Sequence, residues 1–129
     1  MLEIKDAPRP VPNDPPRSYE EVGARAIFYR TVSNEEVADL RSSGMFRAQR
    51  GGIDDGKFLT TTAELARNWA TLFVTEGVER QLGNIIRISV SESVASEIYF
   101  VGSRVDGIGA CYFASLGQLA DAEIEEVTW

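Results

Sequence analysis

All five prolines of this 129-residue chain lie in one short stretch, Pro8-Arg9-Pro10-Val11-Pro12-Asn13-Asp14-Pro15-Pro16. Proline fixes its own φ, removes a backbone donor and pushes its predecessor out of the helical region, so this stretch is expected to be extended and outside any core. Residues 1–17 therefore read as a proline-rich linker and residues 18–129 as one domain. A linker in that place suits a domain cut from the end of a longer protein.

From Ser18 onward no proline interrupts the backbone, and the pattern mixes helices with strands. The run Ala24-Arg25-Ala26-Ile27-Phe28-Tyr29-Arg30 ends in β-forming residues, which predicts a strand over its second half with Arg30 at the exit. Ser33 with Glu36 forms a capping box; Val37 and Leu40 give an apolar face, and Gly44 stops the helix. A loop from Gly44 to Gly56, carrying Arg47 and Arg50, leads to a strand at Lys57-Phe58-Leu59-Thr60. Thr61 and Glu64 then read as a second capping box, launching Leu65, Ala66, Trp69, Ala70 and Phe73 along one helix face. Ile85, Ile86, Ile88 and Val90 predict a strong strand, and Ser91 to Ser96 a helical turn. Short strands follow at Ile98–Val101 and Ala110–Phe113, separated by an Asp106-Gly107-Ile108-Gly109 turn. Glu123 to Trp129 predicts a terminal strand.

Composition removes whole classes of chemistry. There is no histidine and one cysteine, Cys111, so neither a Ser-His-Asp nor a Cys-His nucleophile pair can be assembled, nor a zinc site of the usual Cys/His kind. No metal site is expected. An intramolecular disulfide is impossible as well. No apolar run approaches the roughly 20 residues that span a bilayer, and Met1-Leu2-Glu3-Ile4-Lys5-Asp6 lacks a signal-peptide core, so no membrane role is expected. A net charge of −7 opposes a broad grip on a phosphate backbone and favours a basic partner or a small ligand.

What remains is an ordered set of polar residues: Arg30, then Thr60-Thr61-Thr62, then Glu123-Ile124-Glu125-Glu126. Each has a plain structural use. A strand-end arginine can snorkel, Thr61 can cap a helix, and glutamates on a terminal strand discourage strand addition. Together they suit cleavage of a glycosidic bond to a cationic leaving group, as in NAD. Such a bond breaks through a cationic sugar that needs a nearby anion.

The same order resembles the Arg-Ser-Glu class of ADP-ribosyltransferase toxin domains, with Arg30, Thr60-Thr61-Thr62 and Glu123-Ile124-Glu125 in the three places. Phe28-Tyr29-Arg30-Thr31-Val32-Ser33, Gly56-Lys57-Phe58, Trp69 and Asp106-Gly107-Ile108-Gly109 are similar to small toxin modules at the ends of bacterial polymorphic secreted proteins. The resemblance implies an α+β fold of compact, split antiparallel sheets with two main flanking helices, and an NAD cleft between the sheets. It implies that Arg30 contacts the NAD diphosphate or adjoining ribose and that Thr60, with Thr61, orders the site. Glu125 would stabilise the oxocarbenium-like state and Glu123 would orient or deprotonate the acceptor, the pair Glu125-Glu126 being the alternative. Tyr29 or Tyr112 would stack on nicotinamide. It further implies secretion or delivery into a target cell, action in that cell's cytoplasm, and a cognate immunity protein.

Two other functions are open from the residues. A metal-independent RNase toxin would use Arg47, Arg50, Lys57 and Thr60 against the chain's own negative field. An acidic immunity or inhibitor module would mask a basic toxin surface and need no converging polar residues.

Overall fold

The computed structural model describes residues 19–48, 55–75 and 83–128. The proline-rich linker, Arg50 and Trp129 lie outside them. The described chain is an α+β fold with two antiparallel sheets and few helices. Its strands are β1 (Glu20–Val22), β2 (Arg25–Val32), β3 (Gly56–Leu59), β4 (Asn84–Ser91), β5 (Tyr99–Val105), β6 (Gly109–Ser115) and β7 (Glu123–Val127); its helices are α1 (Asn34–Ser43), α2 (Ala63–Thr75) and α3 (Glu92–Ala95). One sheet has the order β1-β2-β4-β7 and the other β3-β6-β5. The sheets are stitched together at one antiparallel bridge, where Tyr29 and Thr60 exchange both backbone hydrogen bonds at 2.8 Å.

Side chains alternate across each strand, so the register sorts residues by face. In the larger sheet Phe28, Ile88 and Ile124 form one row and Arg30, Ile86 and Glu126 the next, on the same face. That face builds the main core with Val37 and Leu40 of α1 and with Leu59, Tyr112 and Ala114 of the smaller sheet. Tyr19, Phe28, Phe100 and Tyr112 form an aromatic cluster there, with Tyr112 between 5.1 and 5.8 Å from each of the other three rings. Ile27 and Ile85 point to the opposite face, where α2 packs against β2 and β4 and buries Ala66 and Ala70.

The helix signals hold with one shift. Ser33 caps α1, its Oγ accepting from Glu36 N at 3.1 Å, and Gly44 ends it in the left-handed region at φ 76°. The cap of α2 is Thr62 and not Thr61: Thr62 Oγ1 accepts from Leu65 N at 3.0 Å, and the Thr62 carbonyl accepts from Ala66 N. Thr60 and Thr61 are spent on the bridge and on burial, which delays the helix by one residue. Strands β2 and β5 are longer than their hydrophobic runs suggest. Asp106 at φ 57° and Gly107 at φ 73° make the tight hairpin that returns β5 into β6. No helix among the described residues is long and apolar enough to cross a membrane.

Candidate functional site

The seam between the sheets concentrates charge. Arg30 leaves β2 beside the bridge and reaches α1, where its Nε donates to Glu36 Oε2 at 2.9 Å and its Nη2 to Oε1 at 2.8 Å. Nη1 turns the other way and donates to the Phe58 carbonyl of β3 at 3.0 Å. Lys57, the residue before Phe58, points inward and brings Nζ to 3.9 Å from Glu36 Oε2. Only 19% of the Arg30 side chain, 6% of Glu36 and 4% of Lys57 are exposed. Two cations thus share one carboxylate in a nearly dry setting.

Burial lowers the Lys57 pKa. The guanidinium of Arg30 works in the same direction, while Glu36 and Asp39 oppose it. From beyond the end of α1, Arg47 reaches back to pair bidentately with Asp39, which extends the band of mixed charge along one side of the helix. Thr60 closes the seam on the β6 side, its Oγ1 donating to the Ala110 carbonyl at 2.7 Å. Among the described residues, no cluster of three or more acidic or cysteine side chains is arranged to hold a metal ion.

The residues expected to form one site divide between two faces. Arg30 and Glu126 share a face, but Tyr29, Arg87 and Glu125 form the neighbouring row and project from the other side of the sheet. Glu125 lies 3.4 Å from Arg87, and Glu123 lies 3.9 Å from Arg25; their side chains are 68% and 79% exposed. Arg30, Thr60 and Glu125 therefore do not converge. Glu126 is on the face of Arg30, yet its carboxylate accepts both hydrogen bonds of Arg41 on α1, each 2.7 Å long. These bonds hold the Glu126 carboxyl below its ordinary range. Tyr112 sits in the aromatic core, 5% exposed, so stacking on a ligand is closed to it. Tyr29 is half-buried on the α2 side of the sheet, and Thr61 is buried.

Glu36 is the residue that sequence reasoning misplaced. It reads as the third residue of a capping box, and its backbone N–H does bond to Ser33 Oγ, but its carboxylate goes to Arg30. A signal was present: a glutamate at an otherwise inward helix position, flanked by Val37 and Leu40, asks for a buried cation. A shallow groove of about 190 Å³ between α1 and the larger sheet is lined by Val37, Leu40, Arg41, Gly44, Ile86, Ile124 and Glu126. Comparison with protein-family models, curated proteins and solved structures gave no match.

Proposed function

We propose that this domain is a toxin-type enzyme that consumes NAD, transferring ADP-ribose to a macromolecule or to water, with the diphosphate recognised at the seam. The observation that carries this reading is that Arg30 and Lys57 share the single carboxylate of Glu36, which leaves one positive charge in excess in a chain of net charge −7. A desolvated guanidinium beside an ammonium is suited to a diphosphate, and Glu36 fixes the direction of the fork. The split pair of antiparallel sheets, with Arg30 at the junction, is compatible with the arrangement that the resemblance implies. Glu125 takes no part beside Arg30 in this reading.

A second reading, RNA cleavage, draws on a different observation. Lys57 has a lowered pKa, as a proton-transferring group needs, and Arg47 pairs with Asp39, which stands on the same helix as Glu36. The deciding experiment measures nicotinamide release from NAD by the purified domain, with and without bacterial lysate, beside cleavage of a labelled RNA. Arg30→Lys and Lys57→Met serve as variants, each checked by thermal melting. Nicotinamide release that both variants reduce supports NAD chemistry. RNA cleavage without nicotinamide release selects the second reading, and neither activity leaves an acidic binding module.

A further inference from the structure

The smaller sheet carries a row of aromatic rings on its outer face that the core does not use. Phe58 of β3 is directly opposite Phe113 of β6, which is directly opposite Tyr99 of β5. The inner row of the same strands, Leu59, Tyr112 and Phe100, fills the core. The outer row stays open, with Phe58 44% and Tyr99 39% exposed, two of the four large hydrophobic residues at the described surface. Phe58 and Phe113 meet edge to face, centroids 5.0 Å apart. The Phe113 ring also leans over Gly56, where an added Cβ would come within 2.4 Å of Cζ. The row spans two strand spacings, about 10 Å.

We propose that this row is a stacking platform for the base of a nucleotide, an inference that rests on the reading of the seam as a phosphate site. Phe58 joins the two: its carbonyl receives Arg30 Nη1, and its ring heads the aromatic row. A base on Phe58 lies on the outer face, so its attached phosphates reach Arg30 over the free edge of β3, where the Phe58 carbonyl meets Nη1, while Lys57 points to the inner face. Every base offers a π-face, so aromatic rings displayed by adjacent strands bind bases without needing hydrogen-bond readout. A long polyanion fits poorly. Asp55 and Glu97, both exposed, lie by the turn after β6, since the Asp55 carbonyl accepts from Leu116 N and the Glu97 carbonyl from Gln118 Nε2. With a chain charge of −7, these carboxylates favour one nucleotide over a nucleic-acid strand.

The test is calorimetric titration of the domain with adenosine monophosphate, ribose 5-phosphate and a short single-stranded oligoadenylate. Phe58→Ala and Tyr99→Ala accompany the wild type, with thermal melting as the folding control and nicotinamide release measured on the same proteins. Phe58→Ala is expected to weaken adenosine monophosphate about tenfold, within the range that base stacking on an aromatic ring supplies, and to leave ribose 5-phosphate unchanged. Adenosine monophosphate that fails to bind, or binds both folded variants as tightly as the wild type, overturns the platform. Oligoadenylate binding much tighter than the mononucleotide and lost with Phe58 overturns the single-nucleotide assignment in favour of a strand. Nicotinamide release at unchanged KM in Phe58→Ala removes the platform and leaves NAD chemistry standing. Row-dependent binding without nicotinamide release keeps the platform and removes NAD chemistry.

Discussion

Glu36 shows how much one side chain can settle. Replacing it with glutamine leaves two cations facing each other in a nearly dry seam without the carboxylate they share, and removing one partner of a buried pair costs about 3–5 kcal/mol. Chemical denaturation of Glu36→Gln is expected to show a loss of that size with an unchanged m-value. Lys57→Met is expected to be neutral or stabilising in the same assay, because it deletes the cation that Glu36 serves least well, at 3.9 Å against 2.8 Å for Arg30. The pH dependence separates them further. Burial holds Lys57 below 10.5, so between its lowered value and 10.5 the folded chain binds fewer protons than the unfolded one. Stability from this group therefore rises with pH across that window, a rise that Lys57→Met should remove. Gly56 is the other decisive position. Its added Cβ would meet the Ala114 carbonyl at 2.5 Å as well as the Phe113 ring, so Gly56→Ala is expected to lower stability by about 1–3 kcal/mol. Side-chain identity made Arg30 and Thr60 visible as candidates, whereas Glu36 was legible only as an acid beside the inward residues Val37 and Leu40, with nothing local to name Arg30 as its partner.

Elements were legible wherever the signal was local. Ser33, Gly44 and Ser91 act at the ends of α1 and α3 as their residue types require, and the β4 run of Ile85, Ile86, Ile88 and Val90 is a strand. The cap of α2 was displaced by a non-local cause, since Thr60 is held to Tyr29 and cannot turn into the helix. Thr62→Ala is expected to cost about 1 kcal/mol by thermal or chemical unfolding and Thr62→Ser nearly nothing, because the hydroxyl that accepts from Leu65 N is retained. Which strands pair was beyond local reading. The late glutamates were correctly placed on a strand, but their use depends on register: Glu126 aligns with Ile86 and Glu125 with Arg87, and that one-residue step puts them on opposite sides of the sheet. The aromatic row of Phe58, Phe113 and Tyr99 was hidden for the same reason, since it exists only through two registers.

At the scale of the molecule, two buried titrating groups act in opposite senses in alkali. Cys111, buried on β6, has its thiol pushed up to about 11 from 9.0, chiefly by burial and then by Asp106. Between those values the folded chain keeps a proton that the unfolded chain has lost, so this contribution to stability declines as pH rises through the window. Lys57 contributes the opposite slope. Denaturation from pH 8 to pH 11 is expected to show a steeper alkaline loss in Lys57→Met and a shallower one in Cys111→Ala. Native protein should label slowly with a thiol reagent near neutral pH and rapidly once denatured, because the attacking species is the thiolate. The bridge between Tyr29 and Thr60 carries a consequence for motion. The pair of backbone bonds pins the two sheets at the edge of the core they share, at the joint that the Arg30 guanidinium spans. Hydrogen exchange at those two amides would time the opening of that joint, and a bound nucleotide that grips both sheets would slow it.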